Sequence, residues 1–175
     1  MRPPELDILG LSSALGHYLS NIEKKTGLRI DFRSSVNDKK IQGNLPIVVF
    51  RIVQEAVNNI LKHSRANRVI VVLKSQRRTI SLAIKDNGLG FDPKKNSQGG
   101  ESAMGLRLIR EMVESLNGTL EIHSSPGKGT KILVTLPAER PAERDSGLRA
   151  EAAGGATPVP ESAPKSDPPS GKGGR

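Results

Sequence analysis

Apolar residues recur at two periods along this chain, and the switches between the periods mark out its elements. From Ser12 to Lys25, Leu15, Leu19 and Ile22 return at helical spacing, and Gly27 stands as the stop. Leu28–Arg33 alternates apolar and charged residues, the period of a half-buried strand. A polar loop then runs to Asn44, a candidate N-cap for a long helix reaching about His63. Arg68–Lys74 and Thr79–Lys85 alternate as strands, joined by the polar turn Ser75–Arg78. Residues 86–104, rich in glycine and interrupted by Pro93, predict a long irregular loop of the kind that serves as a lid. Gly105–Leu116 is helical through Leu106, Ile109, Val113 and Leu116, with Gly118 as candidate C-cap. Thr119–His123 and Thr130–Leu136 close a hairpin around Ser125–Gly129. The order α-β-α-β-β-α-β-β predicts an α/β fold, a two-layer sandwich with helices on one sheet face.

Ahead of these elements, Arg2-Pro3-Pro4-Glu5-Leu6 cannot form a helix interior, because neither proline has a donor. Behind them, residues 138–175 offer only Leu148 and Val159 as large apolar side chains. Such a segment cannot bury enough surface to offset its ordering entropy, which predicts a disordered tail. The tail holds six basic and six acidic residues, so the net charge of +9 sits in residues 1–137, with 21 basic against 12 acidic. A basic body suggests an anionic partner. Nucleic acid is disfavoured: there are three Phe, one Tyr and no Trp for stacking bases, and the basic pairs Lys24–Lys25, Lys39–Lys40, Arg77–Arg78 and Lys94–Lys95 are scattered. With no cysteine, disulfides and thiolate metal sites are excluded, which fits a cytoplasmic location. The longest apolar runs, Ile47–Phe50 and Val69–Leu73, are too short to span a membrane, so no direct membrane insertion is expected.

Four segments carry candidate chemistry. On the helix Leu45–His63, helical phase puts Phe50, Val53, Val57, Ile60 and Leu61 on one side and Glu55, Asn59, Lys62 and His63 on the other. Asn59 offers a neutral oxygen suited to a hard cation such as Mg²⁺. Lys62 and His63 can reach phosphate oxygens, and Glu55 can orient or deprotonate an attacking group. Asp86-Asn87-Gly88-Leu89-Gly90-Phe91 places a carboxylate at a strand end, followed by glycines that let backbone approach a ligand. Gly99-Gly100 and Ala103-Met104-Gly105-Leu106 lead into a helix start, where N–H groups bind phosphate. Gly127-Lys128-Gly129-Thr130 is a hairpin turn whose Thr130 hydroxyl can meet a base. Each segment alone has a bland reading: a solvated helix face, a chain reversal, a flexible loop, a turn.

In this order the four resemble the motifs of the GHKL ATPases, the superfamily of DNA gyrase, MutL, heat-shock chaperones and histidine kinases. Gln54–His63 resembles the N box, Asp86–Phe91 the first glycine box, Gly105–Glu111 the second and Gly127–Thr130 the last. Lys62-His63 and Arg110-Glu111 look like the sensor histidine kinases that partner NarL-type response regulators. Arg2–Leu11 is similar to the segment that links their dimerisation helices to the catalytic domain. The resemblance implies the Bergerat fold, a mixed sheet covered by helices on one face, with ATP and Mg²⁺ held under a mobile lid. It implies a linker at 1–11, a catalytic domain at 12–137 and the tail beyond. By position, Asp86 would bind the adenine amino group, Asn59 would ligate Mg²⁺, and Glu55 would help activate the acceptor histidine. Lys62 and His63 would face the phosphates. Gly88, Gly90 and Gly105 would let the backbone close around the nucleotide, with Leu106 beside it and Thr130 near the base. The implied partners are a histidine-bearing dimerisation domain and a NarL-type response regulator.

Two departures matter. Ala103 stands where many relatives have the first glycine of a Gly-x-Gly. None of His17, His63 and His123 lies in the acidic helical context of a phosphate acceptor. The rival expectations are an anti-sigma-factor-type serine kinase and a non-catalytic nucleotide-binding module.

Overall fold

The computed structural model describes residues 4–38, 41, 43–92 and 101–138. Arg2, Pro3, the pairs Lys39–Lys40 and Lys94–Lys95, Gly99–Gly100 and the expected tail from Glu139 lie outside the described residues. The elements are α1 (Pro4–Thr26), β1 (Arg29–Ser35), α2 (Leu45–Asn59) continued by a π-helical turn (Ile60–Ser64), β2 (Arg68–Gln76), β3 (Thr79–Asp86), α3 (Glu101–Glu114), β4 (Thr119–Ser124) and β5 (Thr130–Pro137). The strands form one sheet in the order β1-β2-β3-β5-β4. β1 runs parallel to β2, with Ile30 opposite Val69; the remaining pairs are antiparallel. The sheet is therefore mixed.

Alternation decides which face the helices cover. Val69, Val71 and Leu73 of β2, Ile80, Leu82 and Ile84 of β3, and Ile132, Val134 and Leu136 of β5 are all buried. They share one core with Leu15 and Leu19 of α1, Val49, Val53 and Val57 of α2, and Ile109 and Val113 of α3. The period of β3 puts Asp86, its last residue, on this same face. Truncating a buried leucine such as Leu82 to alanine would cost about 2–5 kcal/mol. This layer is rigid ground for a site.

Several sequence expectations shift. α1 begins at Pro4 instead of Ser12. Pro4 sits in the first turn, where its missing N–H is no loss. Leu6 and Leu11, in the expected linker, pack into the core, while Ile8 is 79 % exposed. The helix breaks at Gly10, whose φ of 81° and ψ of 171° only glycine adopts readily. The Asp38 carboxylate fills the space where a Cβ would stand and accepts the Ser12 N–H at 3.4 Å. Asn44 holds the N-cap position of α2 but makes no side-chain cap bond; Pro46 in the first turn reduces the number of donors to cap. Leu61, expected on the packed side of this helix, is 40 % exposed and not part of the core. α3 begins at Glu101, so Ala103 and Met104 are helical: alanine extends a helix where glycine would weaken it. Asn117, at φ 54°, and not Gly118, takes the left-handed position after α3. Gly118 serves close packing instead, since a Cβ there would meet Leu136 and the Thr135 carbonyl. β5 ends with the Ala138 N–H donating to the Arg78 carbonyl at 2.7 Å, so the described fold reaches one residue past Pro137.

Candidate functional site

Between the end of α2, the start of α3 and the ends of β3 and β5 lies a cavity of about 210 Å³, lined by Ala56, Asn59, Ile60, His63, Ser64, Asp86, Gly90, Phe91, Leu106, Thr130 and Ile132. Apolar Ala56, Ile60, Phe91, Leu106 and Ile132 alternate there with polar Asn59, His63, Ser64, Asp86 and Thr130, a lining suited to a small polar molecule with an apolar part. Asp86 is the one buried charged residue among those described, 4 % exposed. Burial pushes its carboxyl above the usual carboxylate range, opposed by backbone N–H bonds from Gly88 and Thr130. The Gly88 N–H donates to Asp86 Oδ1 at 2.7 Å.

The loop after β3 is pinned on two sides. The Leu89 N–H donates to the Ser64 carbonyl at 2.7 Å, and the Gly127 N–H to the Leu89 carbonyl at 2.6 Å. A Cβ on Gly88 would overlap the Ser64 carbonyl, and one on Gly90, whose φ is 60°, would overlap the Ser125 carbonyl. Asn87 Oδ1 accepts the N–H groups of Asn67 and Arg68, and Asn87 Nδ2 donates to Asn67 Oδ1. Asn87 is thus a clamp between this loop and the start of β2. Thr130 and Ser124 share a hydroxyl bond at 3.0 Å, and Ser124 Oγ also accepts the Phe91 N–H.

A second cavity, of about 290 Å³, adjoins through Asn59 and His63 and is lined further by Glu55, Lys62, Met104, Gly105 and Leu108. Gly105 is buried against Asn59, with both terminal atoms of the Asn59 amide where a Cβ would be. Asn59 Nδ2 is buried with no hydrogen-bond partner among the described residues. An orphaned donor of this kind is costly unless an acceptor completes it.

Of the expected site residues, Asn59, His63, Asp86, Gly90, Leu106 and Thr130 line the first cavity, and Glu55, Lys62 and Gly105 the second. Gly88 lies behind the wall, against Ser64. Gly105 acts through close packing inside α3 and not as a free loop glycine. Sequence reasoning passed over Ser64, Ala56, Phe91 and Ile132 as lining. Phe91 had a signal, a lone aromatic closing a glycine-rich turn; Ser64 had none.

A two-layer sandwich with a cavity that holds a buried carboxylate between glycine-pinned loops is an α/β domain built to take a small ligand. Residues 44–140 match the family described as histidine kinase-, DNA gyrase B-, and HSP90-like ATPase. The chain belongs to this family and is an ATP-binding domain. It is 36 % identical over 137 residues to the signal transduction histidine-protein kinase/phosphatase DegS of Brevibacillus brevis, covering 78 % of this chain and 35 % of that protein. It is 37 % identical over 139 residues to DegS of Bacillus subtilis, covering 78 % and 36 %. The chain therefore spans about a third of the length of these curated relatives. The catalytic domain of the histidine kinase ThkA shares the fold, at a TM-score of 0.58 and 12 % identity over 75 % of this chain and 92 % of that one. Among the described residues no helix is long and apolar enough to cross a membrane.

Proposed function

We propose that this chain is the ATP-binding catalytic domain of a two-component sensor histidine kinase, acting in the cytoplasm. It transfers the γ-phosphoryl group of ATP to a histidine on a separate dimerisation domain, from which it passes to a NarL-type response regulator. The adenine sits in the first cavity with its amino group on Asp86, and Gly90, Leu106 and Thr130 pack around it. The phosphates run toward Asn59 and His63, with Lys62 beyond. The observation that carries the reading is the pair of cavities joined at Asn59 and His63. One accommodates the base, and the other gives an incoming nucleophile access to the phosphate end past Glu55.

Asn59 fits a Mg²⁺–phosphate complex. It lines both cavities, its buried N–H has no partner among the described residues, and its carbonyl oxygen is the kind of ligand a hard cation takes. When bound, Mg²⁺ would neutralise phosphate charge and take the Asn59 carbonyl oxygen as one ligand. Glu55, on the wall of the second cavity, orients the acceptor imidazole and takes its proton. Phosphoryl transfer is mainly positioning and electrostatics, so the acceptor must arrive in line with the γ-phosphate. His63 shares a helix end with Asn59 and lies beside the phosphates, without freedom to attack. His17 is exposed on α1, and His123 is exposed on β4 and bonded to Glu121.

Incubation with ATP labelled at the γ-phosphorus tests the assignment. The chain alone should bind Mg²⁺–ATP yet form no acid-labile phosphohistidine. A dimeric histidine-bearing helical domain from the parent kinase should take up the label when added. Stable label on His63 would overturn the division of labour. Label on serine would make the chain a serine kinase, and no transfer despite measured binding would make it a non-catalytic module.

A further inference from the structure

A third cavity, of about 460 Å³, opens beside the β4–β5 hairpin and shares Thr130 with the nucleotide cavity. Lys85, Lys128, Lys131 and His123 line it, with the hydroxyls of Ser124 and Ser125. These cations are far apart in sequence, and the sheet gathers them. Lys85 of β3 stands directly opposite Lys131 of β5, and Lys131 directly opposite His123 of β4. Alternation puts all three on the sheet face away from the core, since Ile84 and Ile132 take the buried one. Lys128 joins them from the turn, and all four side chains are exposed. Like charges directly opposite one another in a sheet are destabilising. The described residues offer no relief. None of the three lysines has an ion-pair partner among them, and no carboxylate is among those lining the cavity. The carboxylates that the strands carry on this face are engaged: Asp31 pairs with Arg33, and Glu121 lies 3.3 Å from His123 Nε2.

We propose that this cavity binds a small, multiply charged phosphate compound, at a site separate from the one proposed for ATP. Ammonium groups bind phosphate as point charges, and hydroxyls donate to its free oxygens. The lining has no arginine, whose planar fork pairs a carboxylate bidentately. Neither Asn59 nor His63 belongs to it. Inorganic pyrophosphate without Mg²⁺ is the probe, titrated into the full chain while backbone amide NMR shifts are followed. The shifts should centre on Lys85 and on residues 128–131, with Asn59 and His63 unmoved. Lys85→Thr/Lys131→Thr should weaken pyrophosphate binding about tenfold, through the loss of two exposed charge contacts. It should keep its affinity for a Mg²⁺–ATP analogue, and its ligand-free melting temperature should not fall, because opposed like charges are removed. Lys24→Gln/Lys25→Gln, the same change of charge on α1, should leave pyrophosphate binding intact. Equal losses in the two double variants would reduce the site to general attraction toward a basic chain and overturn the proposal. So would shifts centred on Asn59 and His63, which put the probe at the ATP site, or the absence of any saturable response.

Discussion

Asp86 is a buried carboxyl group, and burial disfavours its ionised form. Its folded-state carboxyl holds a proton more tightly than the same group in the unfolded chain, because burial outweighs the bonds from Gly88 and Thr130. The linkage sign follows. The protonated form's contribution to stability is full below the ordinary carboxylate range and is lost as pH rises through the raised value. Wherever the buried group ionises, its burial is a cost. Asp86→Asn removes that cost along with the carboxylate oxygen that the proposed function sets against the adenine amino group. A hydrogen bond to a charged acceptor is worth about 1.5–3 kcal/mol, so affinity for an ATP analogue should fall by about tenfold or more. The ligand-free melting temperature at neutral pH should not fall, and its pH dependence above the ordinary carboxylate range should flatten. Calorimetric titration and pH-resolved melting measure both. Wild-type affinity in the variant would move the adenine elsewhere.

Between elements, the contact that matters most is α3 against the end of α2. Gly105 is inside α3, where alanine would be a better helix former by about 1 kcal/mol. Propensity therefore argues for replacement and packing against it, because the Asn59 amide occupies the place of the missing Cβ. Gly105→Ala should displace Asn59 and weaken Mg²⁺–ATP binding by about tenfold, within the usual 1–3 kcal/mol cost of overpacking. Adenosine binding should persist. Titration with both ligands distinguishes the cases, and full Mg²⁺–ATP affinity in the variant would separate this contact from the site. The helix α3 was legible from Leu106, Ile109 and Val113. Its early start at Glu101 was not, since the glycine-rich stretch before it suppresses the helical signal.

At the scale of the molecule, the last described residue, Ala138, is tied to the sheet by its N–H, which donates to the Arg78 carbonyl. Beyond it the chain has only Leu148 and Val159 as large apolar residues, too little for a core of its own. A chain ending at Glu139 should match the full chain in melting temperature and in nucleotide affinity. A drop in either would mean that the following segment docks on the domain.

Local pattern determined the element order and the apolar face of each strand, because apolar periodicity acts over a few residues. Asp86 falls on the core face by the period of β3, and Asn59 on the polar face of α2 by helical phase. Tertiary structure decided what depends on residues distant in sequence. Leu6 reaches the core only because Gly10 breaks α1 over Asp38. Gly88 is required by Ser64, and Gly105 by Asn59, contacts made across the fold. Hydrophobic period carries no record of where a π turn begins, so the geometry of Ile60–Ser64 could be found only in three dimensions.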